Sequence, residues 1–138
     1  MSRRQKILVV ADEASVAMTM MALLSQAGCC VETAWKAEHI VNLAQVENFD
    51  LIVLDVNMPG MSGFEVCEQL RADPRLRRTP VIFVSGSYSD GHRQRAAELG
   101  AADFISKPFN TTDFVSRVRL HAAPVQTSGT FTATGDTA

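Results

Sequence analysis

Short apolar runs alternate with stretches of helical periodicity five times along this chain. The runs predict strands over Lys6–Val10, Cys29–Ala34, Leu51–Leu54, Val81–Val84 and Ala102–Ile105. Several runs are apolar at nearly every position, which is typical of strands buried on both faces of a parallel sheet. Five β-α units of this size predict an α/β fold, in which helices cover both faces of a doubly wound, five-stranded parallel sheet.

The helical stretches lie between and after these runs. They are predicted over Glu13–Ala27, Lys36–Glu47, from Ser62, over Asp90–Leu99 and from Thr111. Ser62 and Glu65 form a capping-box pattern at the start of the third helix, and Gly28 is a typical stop for the first. The predicted buried stripe of the first helix is Val16, Met20, Leu23 and Ala27. The fourth helix has few apolar anchors, so we expect it to pack weakly and to move easily.

Length and charge narrow the classes of function. The 138 residues fit one domain, and the net charge of −2 gives no indication of nucleic-acid or anionic-membrane binding. Four arginines between residues 71 and 78 are interpreted as a solvated loop. No apolar run is long enough for a signal core or a membrane span, so a cytoplasmic location is expected. The domain is expected over residues 1–121, and the Thr-, Ser-, Gly- and Ala-rich residues 122–138 are expected to form a disordered tail.

Polar residues follow four of the predicted strands. In chain order they are Asp12, Asp55, Ser85 and Lys107. Sheets of this kind bind ligands beyond the carboxyl ends of their strands, at the point where strand order reverses. If the first and third strands are neighbours, the carboxylates of Asp12 and Asp55 converge and are suitable ligands for Mg²⁺. Lys107 and Ser85 could then neutralise and hydrogen-bond the oxygens of a bound phosphate.

The segments that contain these residues resemble the receiver domains of two-component response regulators. They read ILVVADEAS, LIVLDVNMPGMSGFE, VIFVSGS and ADFISKPF, in the order and spacing of that family. The likeness runs from about Ile7 to Leu120. It implies a flavodoxin-like (βα)5 fold with strand order 2-1-3-4-5. It also implies a bacterial, cytoplasmic signalling switch that catalyses only its own phosphotransfer and autodephosphorylation.

Site roles follow from the same resemblance. Asp55 is the implied phosphoacceptor, which takes a phosphoryl group from the phosphohistidine of a histidine kinase or phosphotransfer protein. The implied Mg²⁺ ligands are Asp12, Asp55 and the backbone carbonyl of Asn57. Ser85 is the implied switch hydroxyl, and Lys107 pairs with the phosphate and precedes Pro108 in a cis peptide bond. Phe104 matches the aromatic switch position. The face formed by the fourth helix, fifth strand and fifth helix is expected to contact an effector protein or output domain.

Each role has a plainer alternative that the sequence leaves open. Asp12 could cap the first helix, Asp55 could be a turn residue, and Ser85 could be an ordinary strand-end hydroxyl. Lys107 could be solvated and Phe104 could be a core residue. Most members of the family also carry two acidic residues after the first strand, and here the first of these is Ala11. The sequence is therefore also compatible with a pseudo-receiver, a protein-interaction module impaired in phosphorylation.

Two other classes share parts of the pattern. Aspartate-nucleophile phosphatases of the haloacid-dehalogenase type also use a strand-end Asp, Mg²⁺, a hydroxyl and a Lys. They require a second acid two residues after the nucleophile, where this chain has Asn57. Flavodoxin-like cofactor binders need a phosphate-cradling loop after the first strand, and Asp12 and Glu13 would repel a phosphate there. Turnover of small phosphate esters would indicate the phosphatase class, and a yellow colour of the purified protein would indicate the cofactor-binding class.

Overall fold

The computed structural model describes residues 4–35, 37–58, 62–86 and 90–123. Its strands are β1 Lys6–Val10, β2 Cys30–Ala34, β3 Leu51–Asp55, β4 Val81–Ser85 and β5 Asp103–Ser106. Its helices are α1 Ala14–Gln26, α2 Ala37–Val46, α3 Gly63–Ala72, α4 Asp90–Glu98 and α5 Thr111–Ala122. The predicted strands and helices are therefore confirmed, with boundaries that move by a single residue at most. Of the predicted tail, Ala122 is instead the buried last residue of α5, and residues 124–138 lie outside the described residues, as does Lys36.

The five strands form one parallel sheet in the order β2-β1-β3-β4-β5. β1 pairs with β2 on one side and with β3 on the other, so strand order reverses at β1. β3 is hydrogen-bonded to a strand on each side, and all its residues are buried. The doubly wound sheet is thus confirmed, and its crevice lies beyond the carboxyl ends of β1 and β3.

Two apolar clusters cover the two faces of the sheet. Ile7 and Val9 of β1 pack in one cluster with side chains of α1 and α5, among them Phe114. Leu8 and Val10 point to the opposite face and pack in the other cluster with side chains of α2, α3 and α4. The alternation follows from the two-residue repeat of a strand, which sends successive side chains to opposite faces.

The rotation of α1 about its axis differs from the prediction. Its buried residues are Ala17, Met20 and Leu24, whereas Val16 and Leu23 are only partly buried. The predicted stripe is confirmed at Met20, but the rest of the buried face lies one residue further along, at Ala17 and Leu24. The physical reason is that α1 carries no charged side chain and is apolar around much of its circumference, so the sequence pattern does not fix which face turns inward.

The predicted helix signals at Ser62 and Gly28 are confirmed. The Ser62 hydroxyl accepts a hydrogen bond from the Glu65 amide at 3.3 Å, and the Ser62 amide donates to Glu65 Oε1 at 2.9 Å. This capping box satisfies two amides that would otherwise be unpaired at the start of α3. Gly28 ends α1 with a φ of +94°, a conformation that favours glycine.

Arg71, at the end of α3, does not belong to a solvated loop. Its guanidinium donates hydrogen bonds to backbone carbonyls of the α3–β4 connection and of the α4–β5 turn. The acceptors are the carbonyls of Leu76, Arg77, Thr79, Leu99 and Gly100. The interpretation of the arginine cluster as a solvated loop is therefore wrong for this residue. Arg71 ties α3 to the carboxyl-terminal end of α4, where Arg95 also forms an ion pair with Glu68 of α3.

None of the helices within residues 4–35, 37–58, 62–86 and 90–123 combines the length and hydrophobicity that a membrane crossing requires.

Candidate functional site

Asp55 ends the central strand β3 with its carboxylate almost completely buried. The residue is 2% exposed, and its two oxygens have different partners. Oδ2 lies 3.2 Å from Nζ of Lys107, and Oδ1 accepts a hydrogen bond from the Asn57 amide at 3.1 Å. A buried carboxylate is stable only when it is paired and hydrogen-bonded, and these contacts supply both. This environment is not that of a solvated turn residue.

The side chain of Lys107 reaches Asp55 from beyond the carboxyl end of β5. It follows β5, and its amide donates to the carbonyl of Ser85 at 2.7 Å, which joins the ends of β4 and β5. The Lys107–Pro108 peptide bond is cis, as the resemblance implies. The side chain is 25% exposed and forms an ion pair with Asp55, so Lys107 is not a free, fully solvated lysine.

Ser85 is brought to the same edge as Asp55. In the register of β3 and β4, Asp55 lies opposite Val84, so Ser85 is one residue beyond the level of Asp55. Ser85 is fully buried, and it lies opposite Ser106 of β5. The fold therefore brings a buried serine to the edge of the sheet that also carries Asp55 and Lys107. Its role as a switch stays a prediction.

The carboxyl end of β1 brings Asp12 to this edge but contributes no second acid. Val10 lies opposite Leu54, so Ala11 follows β1 at the level of Asp55, and Asp12 comes next. Ala11 is 3% exposed and packs in the cluster beneath α1. Asp12 is exposed, and the N-cap residue of α1 is Glu13, whose side chain makes no capping hydrogen bond. The alternative in which Asp12 caps α1 is therefore not what the structure has.

The donor atoms available at this edge are oxygens, the type of ligand that a hard divalent cation prefers. Within the described part of the chain, no group of three or more His, Cys, Asp or Glu side chains is placed to hold a metal ion. The set implied for Mg²⁺ is different, since it consists of two carboxylates, from Asp12 and Asp55, and the backbone carbonyl of Asn57. Among the described residues each oxygen of Asp55 accepts one hydrogen bond, and a carboxylate oxygen can accept two. The oxygen donors thus match the preference of Mg²⁺ and retain capacity for a ligand.

Phe104 lies in β5, opposite Phe83 of β4, below the edge that carries Asp55. It is half-buried and packs against the apolar cluster beneath α2, α3 and α4. It also lines a cavity of about 650 Å³ between α4, β5 and α5, together with Arg93 and Arg117. The ring of Phe104 therefore both packs against the core and lines the cavity. Its role in switching stays a prediction.

A charged cluster borders the same cavity and was not predicted. Asp103 Oδ1 lies 3.3 Å from Arg117 Nη1, and Asp103 Oδ2 lies 3.2 Å from His121 Nε2. Burial raises the pKa of Asp103, but hydrogen bonds from His121 and the Phe104 amide, with the charge of Arg117, outweigh burial and lower it. The cluster joins the start of β5 to the last turns of α5 across a large sequence separation, which local patterns do not reveal.

The structure also places Gly63, which sequence reasoning missed, directly against the site. The residue begins α3, and a Cβ at this position would lie 2.5 Å from the backbone oxygen of Asp55. A glycine just after an N-cap serine carries no distinctive signal. The only indication in the sequence was that Gly63, which has no side chain, stands at the start of a predicted helix.

Comparison with known proteins agrees with this geometry. Residues 7–119 match the family described as the response regulator receiver domain. The transcriptional activator protein IrlR of Burkholderia pseudomallei is 39% identical over 116 residues, which are 83% of this chain and 48% of that protein. The chain thus spans about half the length of such relatives.

Solved structures give the same assignment. The chemotaxis protein CheY4 of Vibrio cholerae aligns with a TM-score of 0.81 and 31% identity, over 86% of this chain and 98% of that one. The non-phosphorylated HemR receiver domain of Leptospira biflexa aligns with a TM-score of 0.81 and 30% identity, over 91% of this chain and all of that one. With the strand order and the acidic strand end beside a lysine, these matches show that the chain belongs to the receiver domain family of two-component response regulators.

Proposed function

We propose that this receiver domain accepts a phosphoryl group on Asp55 from the phosphohistidine of a histidine kinase or phosphotransfer protein. The observation that carries the proposal is the buried Asp55 carboxylate, which ends the central strand with Nζ of Lys107 at 3.2 Å. Burying a carboxylate costs free energy unless neighbouring groups pair with it and donate hydrogen bonds to it. The pairing with a lysine at the crevice of the sheet is what a phosphate-accepting carboxylate needs.

In the proposed transfer an oxygen of Asp55 attacks phosphorus, and the bond from phosphorus to the histidine nitrogen breaks. The electron pair of that bond stays on the imidazole, and Asp55 becomes an acyl phosphate. Lys107 Nζ then pairs with a phosphoryl oxygen instead of the free carboxylate. Ser85, one residue beyond Asp55 in register, would donate its hydroxyl hydrogen to another phosphoryl oxygen.

Mg²⁺ is the cofactor that the donor set fits. Asp12, Asp55 and the backbone carbonyl of Asn57 would hold it. When bound, the cation supplies positive charge that neutralises the phosphoryl oxygens during transfer. The chain's own residues orient the acceptor: the Asn57 amide and Lys107 Nζ fix the two oxygens of Asp55 from different directions.

The proposed output is a change in the face formed by α4, β5 and α5. Phosphorylation adds about −1.5 to −2 charge and three acceptor oxygens at Asp55. Ser85 and Lys107 would then move to bind the phosphoryl oxygens. Both residues stand at the strand ends that lead to α4 and α5. α4 is suited to follow this movement, since Ala96 is the only buried residue among those of its residues that the structure describes. A downstream effector protein or an output domain would bind the altered face. The prediction that the domain itself contacts no nucleic acid stays a prediction, because relatives such as IrlR are named as transcriptional activators.

Two measurements test this proposal. Incubation with phosphoramidate and Mg²⁺ should add the mass of one phosphoryl group to the intact protein, and an Asp55→Asn variant should gain none. Beryllofluoride with Mg²⁺ should shift the amide NMR signals near Ser85 and Phe104 in the wild type. Equal labelling of the Asp55→Asn variant would refute the assignment of the acceptor. Unmoved signals at Ser85 and Phe104 would refute the switch.

A second candidate function is favoured by one observation, the methyl group of Ala11 in place of an acid. Ala11 is packed in the core and its amide donates to the carbonyl of Ala34 at 3.3 Å, so this position offers no carboxylate to the site. A folded protein that gains no phosphoryl group under any Mg²⁺ concentration would be a pseudo-receiver that acts as an interaction module.

A further inference from the structure

Gly63 packs against the peptide of the proposed phosphoacceptor. A Cβ at residue 63 would lie 2.5 Å from the carbonyl oxygen of Asp55, 3.1 Å from its carbonyl carbon and 3.2 Å from Cα of Val56. Real Cβ atoms essentially never lie within 3.0 Å of another residue's atoms, and the atoms met here are backbone, which cannot rotate away. Gly63 itself has an ordinary helical backbone, so the requirement is for space and not for an unusual φ.

The neighbouring strand leaves little freedom to yield. β3 is hydrogen-bonded on both sides, and the Val56 amide continues the ladder to the carbonyl of Val84 at 2.9 Å. The Gly63 amide in turn donates to the carbonyl of Val56 at 3.0 Å, which closes the connection between β3 and α3. A side chain at residue 63 would therefore push the start of α3 away from the backbone of Asp55 and Val56, which Asn57 follows directly.

Asn57 is the residue through which such a displacement reaches the site. Its amide donates to Asp55 Oδ1 at 3.1 Å, and its carbonyl belongs to the donor set proposed for Mg²⁺. We propose that Gly63 is a positioning residue for phosphorylation: by bringing the start of α3 into contact with the Asp55 peptide, it holds Asn57 where it orients the acceptor carboxylate. This inference rests on the proposed function.

The test compares Gly63→Ala with Ser62→Ala. The serine variant removes the hydroxyl of the capping box at the adjacent residue and lowers stability, but it adds no atom near Asp55. It is therefore a matched control for destabilisation of the same helix end. The readouts are the rate of phosphorylation by phosphoramidate, the Mg²⁺ concentration at half-saturation, and the amide NMR shift of Asn57, with urea unfolding for stability.

We expect Gly63→Ala to move the Asn57 amide signal and to slow phosphorylation by about tenfold or more, since small misplacements at a reacting centre are costly. Its Mg²⁺ half-saturation should rise with it. Ser62→Ala should stay within about twofold of the wild type on both measures, because surface caps affect stability more than site geometry. Equal losses in the two variants, or no loss in Gly63→Ala, would overturn the proposal.

The two proposals fail in different ways. If the wild type gains no phosphoryl group, the proposed function fails, whereas the Asn57 amide still reports whether residue 63 sets its position. If Gly63→Ala is unfolded in dilute buffer, all proteins are compared in trimethylamine N-oxide, which favours the folded state without binding the site. A variant that stays unfolded there would make Gly63 a requirement of the fold alone and would overturn the positioning role.

Discussion

Replacing Arg71 with methionine is expected to lower the free energy of unfolding by about 2–4 kcal/mol. The three shortest hydrogen bonds of the guanidinium, at 2.7, 3.1 and 3.1 Å, end on the carbonyls of Thr79, Arg77 and Leu99. A hydrogen bond to a charged donor contributes about 1.5–3 kcal/mol, and the total of about 2–4 kcal/mol is smaller than three such bonds because the carbonyls lie near the surface and regain water. Methionine keeps the apolar part of the side chain, so the loss reports the donors and not the packing.

Urea unfolding measures this change directly. With a denaturant dependence of about 2 kcal/mol per molar urea, the midpoint should fall by roughly 1–2 M. Arg78→Met is the matched control, because Arg78 is exposed in the same segment, and its change should stay within about 0.5 kcal/mol. A midpoint for Arg71→Met that matches the control would refute the reasoning that Arg71 holds the α3–β4 connection and the end of α4 in place.

Three further predictions follow from the site and its surroundings. The pKa of Asp103 lies below its ordinary value of 3.8. The contribution of Asp103 to stability is therefore complete above pH 3.8, and it is lost as the pH falls through the lower pKa of the folded state. In urea unfolding, Asp103→Asn should make stability depend less on acid pH. An unchanged pH dependence would contradict this prediction. Ala11→Asp should strengthen Mg²⁺ binding by roughly tenfold or more, measured by the fluorescence of Trp35, which lines a groove with Asp12; equal affinity would refute a weakened site. The amides of α4 should exchange with solvent faster than those of α3, whose buried residues are Gly63, Val66, Cys67 and Leu70, and the reverse order would contradict the weak anchoring of α4.

The parts of the fold that depend on local pattern could be predicted from the sequence. Each strand is a run of apolar residues that must leave water on both faces, so runs such as Leu51–Leu54 identify strands without knowledge of their partners. The Ser62–Glu65 capping box is likewise local, and both of its hydrogen bonds are present. The convergence of Asp55 and Lys107 followed from a rule of the fold, since strand ends of a parallel sheet share one edge.

The parts that depend on distances between distant segments could not be predicted. Arg71 was interpreted with its neighbouring arginines because nothing near it in sequence shows that the carbonyls of Leu99 and Gly100 lie within its reach. The importance of Gly63 depends on how closely α3 approaches β3, a distance that is fixed by packing and not by composition. The face that α1 turns inward depends on its neighbours, because its own sequence is uncharged on all sides.

The central claim is that Asp12 and Asp55 bind a divalent cation, and that the carboxylate of Asp55 becomes phosphorylated. Crystals grown with Mg²⁺ and beryllofluoride test it most directly, since beryllofluoride imitates a phosphoryl group on an aspartate. The account predicts density for this group on an oxygen of Asp55 in contact with Lys107, and a cation held by Asp12, Asp55 and the carbonyl of Asn57. Density for solvent alone between the two carboxylates, at saturating concentrations of both reagents, would contradict it.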